Sequence, residues 1–141
     1  MNQETSAINF NQTAEFYLSQ GKLEAAYEIC QRILGDSPNF APAYNTQGKV
    51  LQTMGKIELA ITSYRQAIQL NPQQIETYKI LGDILVKQEQ LSEAIACYET
   101  AIKYNPKVSL FHHKLGLVLI QLKNWDAVSY THLRAHETSN H

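Results

Sequence analysis

The sequence repeats with a period of 34 residues. When it is shifted by this interval, Gly48 falls on Gly82 and Gly116, and Tyr64 falls on Tyr98. The other coincidences are Ala26 with Ala60 and Ala94, Ala67 with Ala101, and Pro38 with Pro72 and Pro106. Periods of this length are typical of chains that stack one supersecondary unit several times. The repeat therefore predicts an architecture rather than a reactive site.

Each unit contains two helical patterns with a short turn between them. In residues 41–74, apolar and small side chains recur at steps of three and four residues in a first stretch that ends at Met54. A second stretch with the same spacing begins at Leu59, and Gly55 lies in the turn between them. The unit is therefore predicted to be a helix–turn–helix.

Proline and asparagine predict where the second helices end. Pro72 lacks an amide proton and disfavours the helical conformation of the residue before it. Asn71 and Asn105 follow the second helices of two units and tolerate the left-handed conformation. A left-handed helix cap is expected at both asparagines.

Small residues on the apolar faces predict a close approach of the two helices. Gly48 lies on the first helix and Ala60 on the second, so the backbones can approach while Tyr64 fills the space beside them. Gly82 and Gly116 recur at the position of Gly48 and are interpreted as the same helix contact.

A set of eight positions in each regular unit resembles the signature of the tetratricopeptide repeat. In the second unit these are Tyr44, Gln47, Gly48, Leu51, Ala60, Tyr64, Ala67 and Pro72. Residues 75–108 resemble the signature more closely still. The resemblance implies an all-α fold, a helix–turn–helix solenoid coiled as a right-handed superhelix. It also implies a binding habit to which no reaction is attached.

The resemblance divides the chain into three full repeats and a truncated fourth. The units are residues 7–40, 41–74, 75–108 and 109–127. The first unit matches less well, as end units of solenoids commonly do, because one of their faces has no neighbour. Residues 1–6 are expected to form an N-terminal tail.

A second resemblance concerns the end of the chain. Residues 128–138, VSYTHLRAHET, resemble the translation of a transposon adapter used in sequencing libraries. They place Val128 and His132 where the repeat asks for an alanine and an aromatic residue. Residues 128–141 are therefore predicted to be a non-native read-through tail, and the natural protein is expected to continue past Ala127.

Charge and hydropathy argue against several classes of partner. The 12 Lys and Arg residues against 13 Asp and Glu residues give a net charge of −1. A nearly neutral domain has no electrostatic footprint for nucleic acid or for an anionic membrane surface. The start of the chain has no signal-peptide pattern, and no stretch is apolar enough to span a membrane. A cytoplasmic protein without nucleic-acid or membrane partners is expected.

The cysteines and histidines indicate no chemistry. Cys30 and Cys97 lie in units two apart, too distant for a disulfide, and are expected to be reduced. His132 and His136 have the spacing of zinc ligands on a helix, but they lie in the predicted tail and lack the glutamate of a metalloprotease motif. No nucleophile, base and orienting group occur together. The sequence predicts no catalytic residue, metal site, cofactor or small-molecule substrate.

The resemblance implies a groove that binds a protein or peptide. In the family, the first helix of each unit lines the concave side of the array. The corresponding residues here are Asn11, Glu15, Asn45, Thr46, Lys49, Gln52, Lys79, Asp83, Lys87, His113 and Lys114, together with the apolar Val86 and Leu117. Asparagine and lysine side chains can hold a peptide backbone and a carboxylate. The places that clamp heat-shock chaperone termini in some members hold Asn11, Glu15, Thr46, Glu76 and Ile80, which argues against that ligand.

Two hypotheses about function follow. In the first, residues 7–127 are an interaction scaffold that recruits a protein or peptide through the groove. In the second, they are the leading segment of a larger multidomain enzyme of glycosyltransferase or methyltransferase type. The asparagine ladder of glycosyltransferase arrays would fall on Gln12, Thr46, Ile80 and Lys114, and it is absent. A longer read of the gene distinguishes the two hypotheses.

Overall fold

A computed structural model describes the backbone of residues 3–139 and the side chains as far as Trp125. Over these residues the chain forms seven α-helices and no strand, which confirms the all-α prediction. The helices are α1 (Gln3–Ser19), α2 (Leu23–Asp36), α3 (Ala41–Thr53), α4 (Ile57–Leu70), α5 (Ile75–Lys87), α6 (Leu91–Tyr104) and α7 (Ser109–Ser139).

The helices recur with the period of the sequence. Helices α3, α5 and α7 begin at residues 41, 75 and 109, and helices α2, α4 and α6 begin at residues 23, 57 and 91. Helix α1 begins at Gln3, inside the segment expected from sequence to be a tail. The Gln3 side-chain amide donates to the carbonyl of Asp36, 2.9 Å away, and so ties this first turn to the end of α2.

The residues that follow the second helices have negative φ, so the expected left-handed caps are wrong. The residues after α2, α4 and α6 are Ser37, Asn71 and Asn105, with φ of −136°, −140° and −138°. Each is followed directly by a proline. The proline ring clashes with the helical conformation of the preceding residue and drives it out of the helical region. This restriction outweighs the tolerance of asparagine for the left-handed region.

The turn inside each of the first three units depends on one residue with positive φ. Gly21, Gly55 and Glu89 occupy equivalent positions and have φ of 75°, 82° and 61°. In the second repeat the Gly55 amide donates to the carbonyl of Gln52 at 3.0 Å, and the Lys56 amide donates to that of Leu51 at 2.8 Å. These two bonds form a Schellman motif, which satisfies the last carbonyls of the first helix.

Replacing Glu89 by glycine is expected to stabilise the protein. Glu89 is exposed, and a non-glycine residue in the left-handed region is strained by its Cβ atom. Glu89→Gly should therefore raise the free energy of unfolding by about 1 kcal/mol, measured by urea denaturation. The control is Gly55→Ala, which introduces the same strain and should lower stability. A Glu89→Gly variant no more stable than the parent would contradict this account.

At a larger scale than the repeats, the chain divides into two compact units, with the boundary between Leu81 and Gly82 inside the third repeat. The first unit is the part before this boundary, and the second unit is the part after it. In the first unit, α3 packs against α4, and a Cβ atom built on Gly48 would lie 2.6 Å from Cε1 of Tyr64. In the second unit, a Cβ atom on Gly82 would overlap the ring of Tyr98 in the same way. The close approach predicted from sequence is confirmed at both glycines.

Gly116 does not make the predicted helix contact. A Cβ atom on Gly116 would meet nothing within 4 Å. The reason lies in α7, which continues through Lys123, the position equivalent to the turn residues Gly21, Gly55 and Glu89. Since the chain does not turn there, no second helix folds back over Gly116.

Candidate functional site

In the first unit, two of the predicted groove residues are buried. Asn11 of α1 is 7% exposed and Thr46 of α3 is 1% exposed. The Thr46 hydroxyl donates to the Asn11 side-chain oxygen at 2.9 Å. The pair therefore links α1 to α3, and neither residue is open to a partner as the sequence suggested. A polar residue in a groove position and a polar residue bonded in the interior have the same sequence pattern.

Asn45 and Gln52 are half-buried, and the side-chain amide oxygen of each accepts a hydrogen bond from another residue of the first unit. The Thr77 hydroxyl donates to the Asn45 oxygen at 2.9 Å. The Tyr64 hydroxyl donates to the Gln52 oxygen at 2.8 Å. Burial, and then the charge of Glu76, raise the pKa of Tyr64, so this phenol stays protonated and keeps its donor role.

Three charged residues complete the predicted set in the first unit. Glu15 and Lys79 are exposed, and Lys49 is half-buried. Burial raises the pKa of the Cys30 thiol to about 12, and the charge of Glu15 acts in the same direction. Since a thiolate is the reactive form, this thiol is inert at neutral pH. Cys30 and Cys97 are buried and are not joined in a disulfide, as predicted.

In the second unit, five residues predicted for the groove line one cavity. The cavity has a volume of about 360 Å³, and its lining residues are Asp83, Val86, Lys87, Tyr98, Lys114, Leu117, Val118 and Gln121. Sequence reasoning missed Tyr98, Val118 and Gln121. The repeat pattern indicates only a core role for Tyr98, although this residue also lines the cavity. His113 is exposed and is not part of the lining.

Asp83 organises the polar side of this cavity. The Lys114 ammonium lies 2.7 Å from an Asp83 carboxylate oxygen, and the same oxygen accepts a hydrogen bond from the Tyr98 hydroxyl at 2.8 Å. Burial raises the pKa of Tyr98, and its hydrogen bond to Asp83 adds to the effect. Lys87 is exposed at the same wall. The cavity thus offers two ammonium groups beside aliphatic surface, a combination that suits a carboxylate next to an apolar side chain.

A second cavity, of about 740 Å³, lies in the first unit near the turns of its two hairpins. Its lining residues are Gly21, Leu23, Glu24, Tyr27, Glu28, Leu51, Thr53, Met54, Lys56 and Leu59. None of them belongs to the predicted groove. The sequence pattern identifies these turn positions only as helix boundaries.

Among the described residues, no group of three or more His, Cys, Asp and Glu side chains could hold a metal ion. In the same part of the chain, no helix combines the length and apolar character that crossing a membrane requires.

Residues 41–74 match the family described as tetratricopeptide repeat, and residues 82–123 match the family described as TPR repeat. The chain is a tetratricopeptide repeat protein. The two matches together cover more than half of its length. The first match includes the contact of Gly48 with Tyr64, and the second includes the contact of Gly82 with Tyr98. A comparison with curated protein sequences gives no match.

Several solved structures share the fold of this tetratricopeptide repeat chain. The first TPR domain of Spaghetti (RPAP3), bound to the HSP90 peptide SRMEEVD, has a TM-score of 0.71 at 19% identity and covers 83% of this chain and 95% of that chain. PilF of Pseudomonas aeruginosa has a TM-score of 0.72 at 26% identity, with 86% of this chain and 55% of that chain covered. A mutant O-GlcNAc transferase of Thermobaculum terrenum has a TM-score of 0.67 at 24% identity, and the match covers 84% of this chain but 23% of the transferase.

Proposed function

We propose that this tetratricopeptide repeat protein is an interaction scaffold that binds a segment of a protein or peptide partner in the cavity between Asp83 and Leu117. The observation that carries the proposal is the convergence of Lys87 and Lys114 beside the aliphatic side chains of Val86 and Leu117. These residues come from two different helices, α5 and α7. Their grouping therefore results from the fold.

The contacts in the cavity suggest how a partner is recognised. Lys114 is 21% exposed at its side chain and already paired with Asp83, which is 47% exposed. A partner carboxylate can share the Lys114 ammonium, which has three donors, while Lys87 supplies a second positive charge. Leu117 is 53% exposed and offers apolar contact next to these charges. The proposed ligand is a segment in which an acidic side chain, or a terminal carboxylate, lies beside an aliphatic one.

The likeness to known structures is consistent with peptide binding. The RPAP3 domain was solved with a peptide that contains glutamate, valine and aspartate. At 19% identity that likeness shows the fold, and the ligand of that domain is not assigned to this chain. The proposal here rests on the cavity of the second unit. It assigns no reaction to this cavity.

An array of synthetic ten-residue peptides that vary in acidic and aliphatic content tests the proposal. We expect the bound peptides to pair a carboxylate with an aliphatic residue. Lys87→Glu combined with Lys114→Gln should weaken their binding about tenfold or more, because it removes both cationic contacts. Raising the salt concentration should weaken binding in the parent more than in this variant.

Lys107→Glu is the matched control. It changes an exposed lysine of the same unit that is absent from the cavity lining, and binding should be retained. Peptides bound without preference for acidic residues, or bound equally well by the double variant, would overturn the proposed site.

A further inference from the structure

The larger cavity of the first unit carries a pair of carboxylates that the helix packing does not require. Glu24 and Glu28 of α2 both line it. They are spaced i, i+4, which places their side chains on one face of the helix, close enough for a single cation to contact both. Both residues are exposed, so a partner can reach them.

Neither carboxylate of this pair forms an ion pair with any side chain that the structure describes. The cations nearest to them along the chain contact aromatic rings instead. Lys22 Nζ lies 5.7 Å from the centre of the Tyr17 ring, and Arg32 Cζ lies 6.0 Å from that of Phe10. Two like charges at this helix spacing repel each other, so a cation placed between them is held by both.

Apolar side chains line the same cavity. Leu59 of α4 is 55% exposed, and Tyr27 and Met54 are half-buried. The volume of about 740 Å³ lies within the range of roughly 300–1,000 Å³ over which protein pockets hold ligands. The cavity therefore offers apolar contact and unpaired negative charge together.

This cavity is open although both helices of each repeat around it are present. Its lining comes from residues 21–28 of the first repeat and residues 51–59 of the second. The first repeat contains α1 and α2, and the second contains α3 and α4. Its opening therefore does not come from a missing second helix, unlike the open space over Gly116.

The second unit has a cavity at the equivalent place, and that cavity lacks the pair. Its volume is about 220 Å³, and its lining includes Ser92, which has the repeat position of Glu24. Ala96 has the repeat position of Glu28. The acidic residue of that lining is Glu89 in the turn. The two carboxylates are thus a property of the first cavity and do not follow from the repeat.

We propose that the cavity between the first and second repeats binds a segment of a partner protein in which an arginine or lysine lies next to a bulky apolar side chain. Glu24 and Glu28 hold the cation, and the apolar side chain packs against Met54 and Leu59. Charge selects this occupant, because the lining has two carboxylates against the one ammonium of Lys56. An arginine suits the pair best, since its planar guanidinium can donate to two carboxylates at once.

This inference goes beyond the peptide site proposed above. The two cavities lie in different units and share no lining residue. Their ligands have opposite charge, because the cavity of the second unit offers ammonium groups to a carboxylate. The two sites can therefore be tested separately on the same chain.

The probe is an array of ten-residue peptides that combine arginine, lysine, leucine and phenylalanine on a glycine–serine background. We expect the bound peptides to carry a cation next to an apolar residue. The tightest binder, labelled with a fluorophore at its N-terminus, then gives the affinity by anisotropy as the full chain is added. Replacing its cations by glutamine, or its apolar residues by serine, should weaken binding about tenfold or more.

Variants of the chain locate the binding. Glu24→Gln combined with Glu28→Gln should weaken it about tenfold, and folding should be retained because both residues are exposed. Glu58→Gln is the matched control. Glu58 has the repeat position of Glu24, is exposed in the first turn of its helix as Glu24 is, and is absent from the cavity lining, so binding should persist.

Lys56→Gln provides a test of opposite sign. It removes the ammonium that opposes the incoming cation, so it should strengthen binding about twofold. A change that merely loosened the cavity would weaken binding instead. Lys87→Glu combined with Lys114→Gln, the variant that tests the peptide site of the second unit, should leave the basic peptide bound as in the parent.

Four results would overturn the proposal. The first is an array in which no peptide binds, or in which binding shows no preference for cations. The second is equal binding by the parent and the Glu24→Gln, Glu28→Gln variant. The third is loss of binding in the Lys87→Glu, Lys114→Gln variant, which would place the basic peptide in the second unit. The fourth is a parent that dimerises in light scattering and becomes monomeric when both glutamates are changed, which would make a second copy the occupant.

Discussion

Gly82→Ala should lower the free energy of unfolding by about 2–3 kcal/mol, while the chemically identical change Gly116→Ala should raise it by up to about 1 kcal/mol. Both glycines lie inside helices at the same position of the repeat. Alanine has the higher helix propensity, so the local effect favours the variant at both positions. The difference must come from what each new methyl group meets.

At Gly82 the methyl group would overlap the Tyr98 ring, including the hydroxyl that donates to Asp83. The ring must shift or the two helices must separate, and overpacking of this kind costs more than the propensity returns. At Gly116 the methyl group enters open space. Urea denaturation of the two variants beside the parent, followed by circular dichroism, measures the contrast.

Amide hydrogen exchange shows which helices lose stability in the Gly82→Ala variant. In the Gly82→Ala variant, exchange should accelerate in α5 and α6 more than in α3 and α4, because repeat arrays open locally. Equal destabilisation by the two alanine substitutions would show that the tyrosine contact does not distinguish the two positions.

The helices could be predicted from sequence because their determinants are local. The turn residue Gly55 and the proline Pro72 bound the second helix of the unit, and the spacing of apolar residues sets the faces that pack. The contact of Gly48 with Tyr64 could also be expected from the repeat, since the second and third repeats both carry a glycine and a tyrosine at these two positions. These features depend on residues within one period of 34.

The candidate site could be predicted only in part, because exposure depends on neighbours that the pattern does not specify. The repeat pattern assigns Thr46 and Asp83 to one groove, yet Thr46 is buried against Asn11 and Asp83 faces a cavity. A hydrogen bond between helices 35 residues apart in sequence cannot be read from the position of either partner. The misassignment of Gly116 has the same origin, since its cover depends on whether the chain turns at Lys123.

The first repeat, residues 7–40, fills the space between its two helices with different residues from the second repeat. Ala14 and Cys30 occupy the positions of Gly48 and Tyr64, and both are fully buried. A larger residue on the first helix is thus matched by a smaller one on the second. The paired sizes indicate that the space between two helices, rather than either residue alone, is what the repeat keeps constant.

Cys30→Tyr should therefore destabilise the protein by about 3 kcal/mol even though it restores the residue found in the next two units. If these two helices pack as α3 and α4 do at Gly48 and Tyr64, the ring would enter the space that the Ala14 methyl group fills. The same substitution in the presence of Ala14→Gly should lower the free energy of unfolding far less, because the first repeat then carries the glycine–tyrosine pair of the second repeat. Ala14→Gly by itself should cost about 1 kcal/mol through its helix propensity.

The double-mutant cycle gives the quantity that decides the matter. If the two positions share one space, the free energies of unfolding are non-additive, with a coupling of about 2 kcal/mol in favour of the double variant. Cys30→Ala is the control for loss of the thiol, and its effect should not depend on residue 14. Additive effects of Cys30→Tyr and Ala14→Gly would mean that the two helices of the first repeat meet differently from those of the second repeat. The glycine–tyrosine contact would then be a property of individual repeats and would not define the whole array.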